Sequence, residues 1–128
     1  MKVIVYGTLK KGGRLHSYMR DSKFLMDVAV KGFKMYDSKS GFPFIEEGDE
    51  DAHIWGEKYE IDEGTLRTLD IVEGIDEGLF KRVDLKELKG WSDSRDSVYI
   101  YVGTLPSMYM HQIEPTEIKS GRWDIDKN

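Results

Sequence analysis

No cysteine occurs among the 128 residues, which excludes a disulfide framework, a thiolate nucleophile and a cysteine zinc site. Long apolar runs are missing too. The run near the start, Val3-Ile4-Val5-Tyr6, is far too short for a signal-peptide core or a membrane span, and no small-residue cleavage site follows it. There is no basic excess: 24 acidic residues against 19 lysines and arginines leave a net charge of −5, which argues against nucleic acid or an anionic membrane as a main partner. The 3 histidines, His16, His53 and His111, stand apart with no partner at helical spacing, so no metal site is expected. None of them sits in a serine or acid context, and no Gly-x-Ser-x-Gly is present, so serine-based catalysis lacks support. Nothing selects a carboxylate pair of the glycosidase kind. What remains is an ordinary soluble composition, 39% hydrophobic and 34% charged, with no repeat, low-complexity tract or linker. The expectation is one domain over residues 1–128, in a reducing cytoplasm. Nothing in the chain selects an oligomeric state.

Short strands dominate the pattern. β-Branched Val3, Ile4 and Val5 make Lys2 to Tyr6 a strand, and the lack of alternation implies that both its faces are covered. Lys10 to Gly13 is a loop, and Leu15, Tyr18 and Met19 permit a short helix over Arg14 to Arg20. Phe24 to Val30 and Gly32 to Tyr36 read as strands, with turn chemistry from Asp37 to Gly41. Phe42 to Ile45 is extended, and Pro43 suits an edge. After an acidic loop over Glu46 to Asp51, Trp55, Tyr59 and Ile61 share one face of a strand, and Gly56 marks a close backbone approach or a bulge. Asp62 caps a helix over Glu63 to Val72, with Leu66, Leu69 and Val72 facing the core; Gly74 ends it. Phe80 to Leu88 reads as a strand with Val83 and Leu85 inward, and Lys89 to Asp96 as a turn. In the strand Ser97 to Val102, Val98, Ile100 and Val102 take one face, and Tyr99 and Tyr101 the other, as packing residues. The tail after Gly103, with Pro106, Pro115 and Gly121, is irregular. The class is α+β: a curved sheet or small barrel with helices against it.

Two segments bear on chemistry. Gly7-Thr8-Leu9-Lys10-Lys11-Gly12-Gly13 follows a strand as a phosphate loop does, but Gly13 and Arg14 stand where that motif needs lysine and then serine or threonine. A glycine turn leaving a buried strand still exposes successive backbone N–H groups, which bind a carboxylate as well as a phosphate. The local sequence also fits a tight turn with no ligand. Glu73 falls at the C-terminal end of the second helix, where the helix dipole and aliphatic Ile71 and Val72 would raise its pKa and suit it to proton transfer. The local sequence alone favours a surface acid in an acidic loop with Asp70, Asp76 and Glu77.

In order and spacing, these segments resemble the γ-glutamylcyclotransferase-like family. The resemblance rests on Val5-Tyr6-Gly7-Thr8-Leu9-Lys10-Lys11-Gly12, Gly41-Phe42-Pro43, Trp55-Gly56-Glu57-Lys58-Tyr59-Glu60-Ile61, Leu69-Asp70-Ile71-Val72-Glu73-Gly74, Phe80-Lys81-Arg82, Val98-Tyr99-Ile100-Tyr101-Val102 and Ser120-Gly121-Arg122-Trp123, nearly the full chain. It implies a small mixed β-barrel with flanking short helices and a cavity at the end of the first strand. It also implies a cofactor-free reaction on a small γ-glutamyl substrate, in which the α-amine attacks its own γ-carbonyl, giving 5-oxoproline and releasing an amine or amino acid. In that picture the backbone of Gly7, Thr8 and Leu9 holds the glutamyl α-carboxylate, Glu73 is the acid/base, and Tyr6 and Phe80 shape the pocket. The chain departs from the family pattern at Leu15, where an asparagine often precedes the histidine, and at Phe80, which lacks the hydroxyl of the more usual tyrosine. The other readings of the same chain are a non-catalytic module binding an amino-acid-like ligand and an interaction domain with a vestigial pocket.

Overall fold

The computed structural model describes residues 1–88, 97–104 and 114–125. Eight strands occur among them: β1 (Lys2–Val5), β2 (Lys23–Lys31), β3 (Phe33–Asp37), β4 (Pro43–Glu47), β5 (His53–Glu60), β6 (Phe80–Asp84), β7 (Val98–Gly103) and β8 (Thr116–Ile118). One α-helix, α1 (Glu63–Val72), joins β5 to β6. Because β1 carries β-branched residues throughout its interior, it lies at the centre of a five-stranded sheet of order β2-β5-β1-β7-β6. It runs antiparallel to β5, Lys2 opposite Glu60, and parallel to β7, Lys2 opposite Val98. The sheet is therefore mixed.

Both faces of that central strand are covered, as its unbroken apolar run implies. Val3 and Val5 enter a core with Leu66 and Leu69 of α1, Tyr59 and Tyr101. Ile4 and Tyr6 enter a second core with Phe33, Met35 and Ile45 of β3 and β4. The alternation in β7 divides the same way: Val98, Ile100 and Val102 join the second core, and Tyr101 the first. Gly56 admits β1 closely, since a Cβ there would come within 2.7 Å of Ile4 Cγ2.

The α+β class holds, but the described strands form two sheets and not the closed barrel that the resemblance implies. β3 lies between β4 and β8 in a separate three-stranded sheet. The division comes at Gly32, whose left-handed φ of +88° turns the chain sharply between β2 and β3. Gly32 donates to the Ala52 carbonyl and accepts from the Gly48 N–H, both at 2.8 Å, which locks that corner. Pro43 begins β4 on the sheet's edge, where a missing N–H costs no ladder bond.

Helix α1 spans the expected residues. Asp62 Oδ1 accepts the Thr65 N–H at 2.7 Å as its N-cap, and fully buried Leu69 alone contributes roughly 1.5–3 kcal/mol. Three expectations give way. The helix over 14–20 is only a 3₁₀ turn, His16–Met19, because Leu15 offers no side-chain cap at its start. The strand from Phe80 stops at Asp84, whose side chain accepts the Lys86 N–H at 3.2 Å and bends Leu85–Glu87 into another 3₁₀ turn; Leu85 is nevertheless fully buried. The tail is not wholly irregular, since β8 pairs with β3, Ile118 opposite Met35. The turn expected over 89–96 and the segment holding Pro106 and His111 lie outside the described residues. Among the described residues, no helix is long and apolar enough to cross a membrane.

Candidate active site

Where β1 ends, Gly7 leaves the sheet beside the start of β4. A Cβ at position 7 would stand 2.6 Å from Pro43 Cγ, so only glycine lets these two segments close on each other. The turn beyond is braced from several sides. Lys10 N–H donates to the Gly7 carbonyl and Leu15 N–H to the Thr8 carbonyl, both at 3.0 Å. His16 donates from Nδ1 to the Leu9 carbonyl at 2.9 Å, and Glu57 Oε1 accepts the Lys11 N–H at the same distance. All of these bonds use the carbonyls of residues 7 to 9 or the N–H groups after them. Among the described residues, no protein group accepts from the N–H of Gly7, Thr8 or Leu9. Three successive donors are thus left for an anion.

A cavity of about 160 Å³ opens beside this turn, lined among others by Tyr6, Gly7, Thr8, Leu9, Glu73 and Phe80. The structure so brings together all six residues picked out from the sequence. A space of this size holds a group about as large as benzene, for which a cavity of ~150 Å³ suffices. Its walls are largely apolar: Phe42, Pro43, Leu15, Val72 and Leu79 complete them, and the rings of Phe42 and Phe80 lie 6.1 Å apart.

Glu73 is the C-cap of α1. Gly74 follows with φ +67° and donates to the Ile71 carbonyl, while Ile75 donates to Asp70, each at 3.1 Å. This paired closure of the helix end fixes the backbone that carries Glu73. Burial raises the Glu73 pKa to about 7. Of the two aliphatic neighbours expected to act, Val72 lines the cavity beside Glu73, whereas Ile71 is 77% exposed.

Two tyrosines tie the site to the sheet. The Tyr6 hydroxyl donates to the Tyr101 carbonyl at 2.7 Å; burial, then the nearby Glu73 charge, push its pKa well up. Tyr101 also lines the cavity, and its hydroxyl donates to Asp70 Oδ1 at 2.7 Å. Asp70 Oδ2 accepts from Arg82 at 2.6 Å, and Arg82 lies 4.8 Å over the Tyr99 ring. Tyr101 was expected only to pack, and its place at the cavity has a readable signal, since it alternates with inward apolar residues on a strand parallel to β1. Arg14 lines the cavity as well. Lys10 does not: its ammonium donates to the Trp123 carbonyl at 2.8 Å.

Comparison with known proteins bears on this geometry. A family model described as gamma-glutamyl cyclotransferase, AIG2-like, matches residues 3–125. A Methanocaldococcus jannaschii protein, provisionally named gamma-glutamylcyclotransferase, is 37% identical over 97 residues, which cover 70% of this chain and 79% of that one. The gamma-L-glutamyl-butirosin B gamma-glutamyl cyclotransferase of Niallia circulans is 29% identical over 104 residues, 77% of this chain and 65% of its own. Among solved structures, Escherichia coli protein ytfP superposes with a TM-score of 0.69 at 26% identity, covering 100% of both chains. A Mus musculus AIG2-like protein gives 0.61 at 30% identity, covering 83% of this chain and 77% of that one. With a family match spanning both halves of the cavity, from the turn after β1 to Glu73 and Tyr101, the chain belongs to the gamma-glutamyl cyclotransferase, AIG2-like family and is an enzyme of the cyclotransferase type.

Proposed function

We propose that the cavity folds a γ-glutamyl group so that its own α-amine closes on the γ-carbonyl, forming 5-oxoproline and releasing the attached amine or amino acid. The observation that carries this reading is the pairing of three backbone N–H groups, unengaged among the described residues, with a single carboxylate of raised pKa in one cavity. The N–H groups of Gly7, Thr8 and Leu9 take the glutamyl α-carboxylate. Tyr6 and Phe80 shape the wall against which the glutamyl chain bends. The new bond joins the α-nitrogen to the γ-carbon, and the bond from that carbon to the leaving nitrogen breaks. Glu73 takes the proton that the attacking nitrogen sheds and gives it to the leaving nitrogen, so substrate and products balance without water.

Ring closure is intramolecular, and holding the folded conformer can supply up to ~7–11 kcal/mol of the barrier. A carboxylate poised near neutrality serves for both proton transfers, which are typically worth about 10²–10⁴-fold. A cytoplasmic setting suits a chain without cysteine. The test is to incubate the purified protein with γ-glutamyl amines and γ-glutamyl dipeptides and to follow 5-oxoproline by mass spectrometry. Product from at least one conjugate is expected, with kcat/KM falling about 10²–10⁴-fold in Glu73→Gln. Full turnover in that variant removes Glu73 from the reaction. Thermal stabilisation by a conjugate without any product would favour a binding module instead.

A further inference from the structure

We propose that Arg14 is the residue that selects the leaving group, and that this enzyme prefers γ-glutamyl conjugates whose released amine carries an anionic group, a free amino-acid carboxylate in the first instance. The inference rests on the cyclotransferase reading and adds to it a substrate class. Among the described residues that line the cavity, Arg14 is the only cation and Glu73 the only acid. Glu73 is half-buried in the wall, whereas Arg14 is exposed. The two charges therefore differ in depth.

Arg14 is also uncommitted. Among the described residues, no carboxylate or carbonyl holds its guanidinium, although the chain has an acidic excess that pairs Arg82 with Asp70 and Arg67 with Glu63. It is nevertheless placed. Its backbone precedes Leu15, whose N–H is tied to the Thr8 carbonyl at 3.0 Å. Its guanidinium lies along the backbone of Gly41, where a Cβ would come within 3.3 Å of Nη1. Gly41 has φ +91°, so the turn that makes room for the guanidinium also requires glycine. A planar donor fork at the rim of a cavity matches a carboxylate better than a point charge would.

The division of labour follows from position. The glutamyl α-carboxylate has the three N–H groups of Gly7, Thr8 and Leu9, and the reacting centre has Glu73. The only part of a γ-glutamyl conjugate that must extend toward solvent is the leaving group, and Arg14 is the exposed cation among the residues that line the cavity. A neutral or cationic amine there leaves the guanidinium unpaired or repelled.

The experiment compares γ-glutamylalanine with γ-glutamylalaninamide, which have nearly the same shape and differ by one charge, in wild type, Arg14→Gln and Arg14→Lys. The wild-type ratio of kcat/KM should favour the carboxylate by about 5- to 20-fold, between the worth of an exposed ion pair and that of a hydrogen bond to a charged group. The ratio should fall toward one in Arg14→Gln, be partly kept in Arg14→Lys, and shrink with added salt. A wild-type ratio near one, or one that Arg14→Gln does not change, overturns the proposal. So does an equal loss on both conjugates, which would put Arg14 on the glutamyl carboxylate. Absence of 5-oxoproline from every conjugate overturns the cyclotransferase reading itself, and this assignment with it.

Discussion

The two faces of the central sheet do different work with similar materials. On the face that meets the second sheet, Ile4, Phe33, Met35, Ile45, Ile54 and Ile100 are fully or nearly fully buried, and the packing is almost wholly apolar. On the face under α1, the core is interrupted by a cavity and contains Glu73, Asp70 and the Tyr101 hydroxyl. The first arrangement gains stability from every side chain. The second holds a carboxylate where water is scarce, which costs stability and yields a group that titrates near neutrality. One strand, β1, supplies side chains to both, so the rigid face positions the reactive one.

This contrast can be broken from either side. The largest effect on stability is expected from Phe33→Ala, which empties a fully buried ring position and should cost about 3–5 kcal/mol in chemical denaturation. At temperatures where the variant remains folded, its KM should stay within about twofold of wild type; a large rise would mean that Phe33 holds Ile4 and Tyr6, which belong to the same core and line the cavity, in place. A smaller effect, with the opposite sign, concerns Glu73. Its pKa rises from an ordinary 4.5 to about 7 on folding, so its contribution to stability is fully present below the lower value and is lost as pH rises through the upper one. Glu73→Gln lacks this loss. Between pH 4 and pH 8 its stability should therefore gain roughly 1–3 kcal/mol relative to wild type, after allowance for partial solvent access. The same titration should give wild-type kcat/KM an acid limb near pH 7, since the ionised form is the base. A limb near pH 4.5 would show that the free enzyme does not bury this carboxylate. The smallest effect should come from Asp70→Asn, which weakens the bonds to Tyr101 and Arg82: about 1–2 kcal/mol by thermal unfolding and a loss of activity of roughly tenfold or less.

Local chemistry made much of this legible from sequence. The β-branched run of β1, the Asp62 cap, the glycine stop at position 74 and the alternation in β7 are each decided within a few residues, and all match the structure. The turn at Gly7 and the acid at Glu73 were recognisable as candidates, although only the fold shows that they share a cavity. What was hidden depends on distant partners. Leu85 reads as a strand residue because its burial is the same in a 3₁₀ turn, and the turn is decided by Asp84. β8 is only three residues long and exists because β3 offers an edge. The separation into two sheets depends on one backbone angle at Gly32. Arg14 carries no local signal, since an exposed arginine after two glycines becomes interesting only when Gly41 is brought beside it.

The parallel pairing of β1 with β7 has a consequence for how the molecule is made. Tyr6 and Tyr101 stand 95 residues apart in the chain yet share a hydrogen bond beside the cavity. During synthesis the turn at Gly7 therefore leaves the ribosome long before the strand that completes its pocket, and the edge of β1 that faces β7 stays open even after β5 has paired with the other. Such long-range closure slows folding toward the millisecond-to-second range and leaves a sticky apolar segment to be shielded meanwhile. Catalytic competence should thus emerge late, in one concerted step with the docking of β7, and chains truncated before β7 should aggregate without ever acquiring partial activity.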